Sequence, residues 1–239
     1  MIKDQNNIFC YAGEDLEVMA ETVNYRAWIL SWFHRYIHGR TLEIGAGCGS
    51  IAQDILPWSE SLELVEPDAR LAGLLRTRFG DTPDLLIYHD TAEHHLKRLD
   101  DQQLDTVLLV NVLEHIKDDR AVLADLARVL TAGGHLLLFV PALPMLYAAM
   151  DAHLGHFRRY ERTILEQLIR ESGLQLVLVR YFDLPGILSW FLLKISRSTR
   201  LNLQMVKIYD RWVVPSARWL ENRIPPPVGK NLLLVARKD

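Results

Sequence analysis

Cysteine is scarce: Cys10 and Cys48 are the only two among 239 residues. That is too few, and too oddly placed, for a disulfide framework or a zinc site, and it suits a reducing cytoplasm. Long apolar runs are missing too. The longest, Leu184 to Ile195, contains Gly186, Ser189 and Lys194 and falls well short of the roughly 20 residues a membrane-spanning helix needs, so no transmembrane helix is expected. The N-terminal residues offer no basic segment followed by an apolar core, hence no secretory signal. A net charge of only -3 gives no global attraction to nucleic acid, and repeats and low-complexity tracts are absent. What remains is the balance of an ordinary globular protein, 49% apolar and 24% charged, at a length that suits one large α/β domain over 1–239.

The most informative stretch is Glu43-Ile44-Gly45-Ala46-Gly47-Cys48-Gly49, a strand breaking into a glycine turn ahead of a helix at Ser50 to Leu56. Alternate glycines let a ligand approach the backbone closely and tolerate positive φ. The dinucleotide fingerprint differs: its third glycine falls where this chain has Ser50. Glu43 discourages a phosphate and welcomes a ligand carrying an ammonium group, such as S-adenosylmethionine (SAM). A second strand, Leu62 to Glu66, ends in an acid about 20 residues beyond the turn, the spacing at which a carboxylate binds a ribose diol.

Strands are expected at Thr41 to Ile44, Leu62 to Glu66, Leu85 to Tyr88, Thr106 to Val110, His135 to Val140, Gln175 to Tyr181 and Asn231 to Arg237. Helical patterns separate the first five: Ile51 to Leu56, Ala69 to Phe79, Thr91 to Leu99 and Asp119 to Leu130, the last stopped by Gly133-Gly134. A helix from about Glu17 to Ile37 precedes them, within an N-terminal helical cap over 1–38, and another runs from Glu161 to Ser172. This alternation predicts a Rossmann-like α/β fold: seven strands, mostly parallel, with helices on both faces. About 50 residues separate the last two strands where a hairpin needs only a few, so 183–230 reads as a helical insert.

With the glycine turn, Glu66, Asp90 and Asn111-Val112-Leu113-Glu114-His115 in these places, the chain resembles a bacterial class I SAM-dependent methyltransferase of the small-molecule type. The resemblance covers the chain up to Tyr181 and again its last strand. It implies SAM as cofactor, with Glu43, Gly45, Ala46, Gly47 and Gly49 packing its methionine portion. It also implies Glu66 and Pro67 at the ribose, Asp90 and Thr91 at the adenine, and Asn111, Val112 and Leu113 beneath the sulfonium. All are strand ends, where open α/β sheets bind ligands. The expected reaction is methyl transfer to an oxygen or nitrogen of a small or lipid-like metabolite, leaving S-adenosylhomocysteine. Two other readings stay open: a nicotinamide-dependent oxidoreductase or epimerase, which wants the missing glycine, and a non-catalytic SAM-binding regulator.

Where the acceptor must lose a proton, a base is needed. The candidates are His115, His156 and Tyr160, the last two within Asp151-Ala152-His153-Leu154-Gly155-His156-Phe157-Arg158-Arg159-Tyr160, a run of His, Arg and Tyr suited to a hydroxylated or acidic acceptor. Set against this, His115 can simply brace the following helix, and Arg158-Arg159-Tyr160 can clasp the loop to the sheet. His94 and His95 are adjacent and point apart on a helix, so no metal site is expected. From Asp183 to Lys230 eight Lys or Arg face three acids, so the insert is net +5 and the rest of the chain -8. Three uses are open for it: a lid over an apolar acceptor, a homodimer contact, or an interfacial patch that makes a cytoplasmic protein peripheral to the inner membrane face.

Overall fold

The computed structural model describes residues 2–3, 9–10, 22–199 and 202–239. The start of the helix expected from Glu17 lies outside the described residues. From Val23 to Phe33 that helix is present as α1, and it buries Tyr25, Trp28, Ile29, Leu30 and Phe33.

The sheet strands are β1 (Arg40–Ile44), β2 (Ser61–Glu66), β3 (Leu85–His89), β4 (Leu104–Val110), β5 (Leu130–Pro141), β6 (Gln175–Phe182) and β7 (Asn231–Arg237). Between them run α2 (Ser50–Ile55), α3 (Ala69–Phe79), α4 (Ala92–Arg98), α5 (Asp119–Val129), α6 (Ala149–Leu154) and α7 (Arg162–Glu171). Side chains cap the helix starts as the sequence leads one to expect: Asp68 accepts the N–H groups of Arg70 and Leu71, Thr91 that of His94, and Asp118 that of Ala121. One boundary differs from expectation. The helix after β4 ends at Val129 and Leu130 already pairs with Leu104, so the two glycines lie beyond the strand's start. There Gly133 donates to the carbonyl of Lys238.

Spatial order in the sheet is β3-β2-β1-β4-β5-β7-β6. The first five strands are parallel and β7 runs antiparallel between β5 and β6, so this is the mixed, Rossmann-like seven-stranded sheet the alternation predicts. Period-two alternation divides the core. Leu42, Ile44, Leu109, Leu138 and Leu234 pack beneath α4, α5 and α7, while Leu64, Leu108, Leu137, Phe139 and Leu233 pack beneath α1, α2, α3 and the insert.

The insert between β6 and β7 is helical: α8 (Gly186–Ser196), then α9 (Leu203–Ile208), a π-helical turn (Tyr209–Val213) and α10 (Val214–Glu221), the last three forming one continuous helical run. Two buried carboxylates fasten it to the rest. Asp183 accepts hydrogen bonds from the Tyr25 hydroxyl at 3.1 Å and the Gly186 N–H at 3.0 Å, pairs with Lys230 at 2.9 Å, and also meets the Tyr209 hydroxyl. Asp210 accepts from the backbone of Asn24 and Tyr25 at the start of α1.

Candidate functional site

Strand order reverses between β1 and β4, whose following connections leave on opposite faces, and such switch points open a crevice at the carboxyl ends of the strands. A cavity of about 350 Å³ lies there. It is lined from β1 and its turn by Glu43, Gly45, Ala46 and Gly47, from the end of β2 by Glu66 with Pro67 just after it, and from the start of α4 by Thr91. Asn111, Val112, His115 and His156 complete the expected set. Four expected residues are not in the lining: Gly49, Asp90, Leu113 and Tyr160.

All three glycines of the turn have positive φ, where other residues are strained. A Cβ on Gly45, at φ +75°, would sit 2.4 Å from Val112 Cγ2. Gly47, at φ +58°, meets nothing on that side, and its N–H donates to Glu66 Oε2 at 2.8 Å. Glu66 Oε1 accepts the Asp68 N–H at 2.9 Å, so one carboxylate ties the turn to the start of α3. Burial raises its pKa, and these two N–H groups partly offset that rise. Glu43 is more extreme: its Oε2 is buried without a hydrogen-bond partner, and burial, then the neighbouring Glu66, push its pKa well up. An orphaned acceptor beside an open glycine turn fits the ammonium end of SAM.

At the end of β4, Asn111 takes φ +55° while its N–H donates to the Phe139 carbonyl at 2.7 Å. A left-handed Asn held by the sheet is a strained position of the kind found at ligand sites. Leu113 lies fully buried behind Val112. Asp90 is spent elsewhere, on the His94 ring at 2.7 Å and the Arg98 guanidinium at 2.8 Å. Those partners, with the Thr91 N–H, lower its pKa although burial alone would raise it.

The second half of the cavity is built around Asp151. Residues 149–154 form the short α6 where the sequence reading places a loop, and they bring Asp151 into full burial. Its Oδ1 meets His156 Nδ1 at 2.9 Å and Arg159 Nε at 2.9 Å, and its Oδ2 accepts the Ala148 N–H at 2.8 Å and the Trp190 indole N–H at 3.1 Å. Burial would raise the Asp151 pKa, but the His156 hydrogen bond and the Arg159 charge lower it. An ionised Asp151 therefore fixes His156 with a proton on Nδ1 and leaves Nε2 as acceptor. The His115 and His156 rings meet edge to face, with centroids 4.7 Å apart. His115 hydrogen-bonds the Gly155 backbone, and burial drives its pKa down to about 3.

Glu114, the neighbour of His115, is fully buried with neither oxygen hydrogen-bonded, and burial pushes its pKa up to about 8. Ligand atoms of Glu114, His115 and His156 lie within 4.8 Å of one another, a donor set able to take a divalent cation. The Arg159 guanidinium, paired with Asp151, offsets only part of the rise in the Glu114 pKa. Tyr160 takes the clasp role: its hydroxyl donates to Asp119 Oδ2 at 3.0 Å and lies 3.3 Å from the Leu113 carbonyl, away from the cavity. Arg158 pairs with the same Asp119 at 2.6 Å.

Sequence reasoning missed Arg26, Trp190, Lys230 and Asn231, all in the lining. Nothing local marks them; Trp190 and Lys230 belong to the insert, and only its position beside the last two strands hints that it reaches the crevice.

Residues 42–136 match the family model described as a methyltransferase domain. No curated protein matches the chain. Among solved structures, a putative methyltransferase from Bacillus halodurans is 15% identical, covering 89% of this chain and 98% of its own, with a TM-score of 0.61. A SAM-dependent methyltransferase from Archaeoglobus fulgidus is 14% identical, covering 92% and 94%, with a TM-score of 0.62. A Haemonchus contortus phosphoethanolamine N-methyltransferase, complexed with phosphomonomethylethanolamine and S-adenosylhomocysteine, is 14% identical, covering 94% of this chain and 57% of its own, with a TM-score of 0.65. At these identities the structural likeness speaks to the fold.

Proposed function

We propose that the chain is a class I, SAM-dependent methyltransferase and that the group it methylates is a hydroxyl oxygen of a small or lipid-like metabolite. The observation carrying this reading is the pair His156 and Asp151: a buried carboxylate holds Nδ1 at 2.9 Å, and the ring lines the cavity with Nε2 3.9 Å from Glu114 Oε1.

SAM supplies a methyl group already activated on sulfur. The protein's part is to hold that carbon in line with the acceptor and to take the acceptor's proton. Glu43 accepts the ammonium group, the open face of the Gly45 to Gly49 turn packs against the amino-acid portion, and Glu66 with Pro67 faces the ribose. Thr91 borders the adenine end. Asn111 and Val112 form the floor beneath the sulfonium. As the new C–O bond forms and the S–C bond breaks, the hydroxyl proton passes to His156 Nε2 and the Asp151 carboxylate stabilises the resulting imidazolium. S-adenosylhomocysteine leaves. His115, kept neutral by burial, packs against His156 and limits its freedom. Apolar walls from Val112, Phe139, Leu154 and Trp190 favour an acceptor with hydrocarbon character, and the insert serves as lid through Trp190. We place the reaction in the cytoplasm.

Parallel calorimetric titrations with SAM, S-adenosylhomocysteine and NAD, followed by transfer of labelled methyl from SAM to hydroxylated lipid and small-molecule acceptors, test the reading. Binding of the first two ligands with label in an ether product is the expected result. Label recovered only on nitrogen moves the acceptor to an amine. Binding of SAM with no transfer to any acceptor favours a regulator, and binding of NAD alone favours an oxidoreductase.

A further inference from the structure

The helix α8 is one of the most apolar segments of the chain, Gly-Ile-Leu-Ser-Trp-Phe-Leu-Leu-Lys-Ile-Ser, yet Gly186 is its only buried residue. Leu188, Phe191, Leu192 and Ile195 are all exposed, between 46% and 65%, and their i, i+3, i+4, i+7 spacing puts them on one helical stripe. The side of α8 away from that stripe carries Trp190, which lines the cavity and donates to Asp151.

The continuous helix of α9 and α10 repeats the arrangement. It turns Asp210, Val214, Ala217 and Glu221 inward, and leaves Met205, Ile208, Trp212 and Trp219 outward, the two tryptophans 66% and 59% exposed. Basic side chains flank these faces: Lys194 and Arg197 close α8, and Lys207 and Arg211 stand on the second run. Arg223 stacks over Trp219 at 4.1 Å.

No helix among the described residues is long and apolar enough to cross a membrane. Exposed leucines, a phenylalanine and tryptophans rimmed by Lys and Arg are instead the composition of helices that lie in the plane of a membrane interface, where nearby basic residues add attraction to anionic lipid. A second copy of the chain is the less suitable occupant, because a symmetric contact through this face would oppose two inserts of net +5 each.

We infer that α8 and the 203–221 helical run dock on the surface of an anionic lipid bilayer. The docking stands on this surface alone and goes beyond the methyl-transfer reading. Taken with that reading, it puts the Trp190 wall of the cavity directly above the lipid, so that a lipid-borne acceptor reaches the site from the membrane without crossing water.

Co-sedimentation of the full chain with two sets of vesicles tests the inference: phosphatidylcholine alone, and phosphatidylcholine with phosphatidylglycerol. The expected result is binding to the phosphatidylglycerol vesicles at least about tenfold tighter than to neutral ones, falling with added salt as screening removes the charge term. Phe191→Glu with Leu192→Glu, and separately Arg197→Glu with Arg211→Glu, should each weaken vesicle binding about tenfold or more while SAM affinity by calorimetry stays as in the parent. All four side chains are exposed, so neither variant disturbs the core. No binding to phosphatidylglycerol vesicles, equal binding to both sets, or parent-like binding by the Phe191 and Leu192 variant overturns the inference. So does a dimer in sedimentation velocity that Phe191→Glu dissolves with no vesicle binding, which assigns the face to a second copy. The vesicle and SAM measurements are separate, so docking and the methyl-transfer reading can fail independently.

Discussion

The backbone N–H of Tyr25 donates to the carboxylate of Asp210 at 2.8 Å, so the first turn of α1 is capped from the middle of the insert, 185 positions away in sequence. The same carboxylate takes the N–H and side-chain amide of Asn24. A helix start normally finds its cap in the residue just before it. Thr22 in that place makes no side-chain cap bond, and the long-range carboxylate does the work instead.

Replacing Asp210 should therefore loosen α1 and the insert together. Asp210→Ala is expected to destabilise the protein by about 1–2 kcal/mol, the scale of a lost cap, and Asp210→Asn by less. Urea denaturation followed by tryptophan fluorescence measures both; an unchanged midpoint in the alanine variant would show that the cap is energetically idle.

Glu66 holds the N–H of Gly47 and that of Asp68. With the ribose role proposed for it, Glu66→Ala should weaken SAM binding by about tenfold or more, the order expected for hydrogen bonds to a charged group, without unfolding the domain. Calorimetry with circular dichroism of the same sample decides, and unaltered affinity removes Glu66 from the site.

His156→Ala should lower kcat by about 10²- to 10⁴-fold, the range for a lost general base, with SAM affinity retained. Asp151→Asn should also reduce kcat, through loss of the fixed Nδ1 proton, and should disturb Arg159 and Trp190, which share that carboxylate. A kcat in His156→Ala within twofold of the parent would exclude the proposed proton transfer.

Glu114 gives stability a pH dependence. Its pKa rises from 4.5 to about 8 in the folded state, so above pH 4.5 the unfolded chain has released a proton that the native state still binds, and stability falls as pH rises toward 8. His115, lowered from 6.5 to about 3, has the opposite slope but acts only up to pH 6.5. Between pH 6.5 and 8 the Glu114 contribution stands uncovered, and Glu114→Gln should flatten the fall in melting temperature there. A parent-like slope in the variant would assign the dependence to other groups.

Because burial holds the Glu114 pKa at about 8, this carboxyl is largely neutral near pH 7, and it and its two imidazoles do not depend on a metal ion for charge compensation. Dialysis against a chelator should leave methyl transfer unchanged. A loss of activity restored by manganese or zinc would instead make Glu114, His115 and His156 ligands.

Much of the proposed cofactor half of the site was legible because it is local. A glycine turn needs its glycines next to the strand it ends, and Glu43, Gly45, Gly47, Glu66 and Asn111 each sit within three residues of a strand's carboxyl end, so naming the strands names them. The other half was less legible. Tyr160 and His156 stand four residues apart in a run rich in His, Arg and Tyr, and composition does not say that Asp119 draws the tyrosine hydroxyl outward while Asp151 turns the imidazole inward. Asp90 was equally ambiguous: its place after β3 marks it, but His94 and Arg98 on the following helix occupy its carboxylate.

Period and punctuation in the sequence by themselves determined the strand and helix alternation, the parallel sheet and the glycine crevice, since each depends on residues a few positions apart. Only the tertiary structure decided that β7 slots between β5 and β6, that Asp183 and Asp210 bind the insert to α1, that His115 and His156 meet across 40 residues, and that α8 turns Trp190 to the cavity and its leucines outward. Those outcomes rest on which buried carboxylate finds which donor and which apolar face finds a partner, and such contacts are settled by the packing of the whole chain.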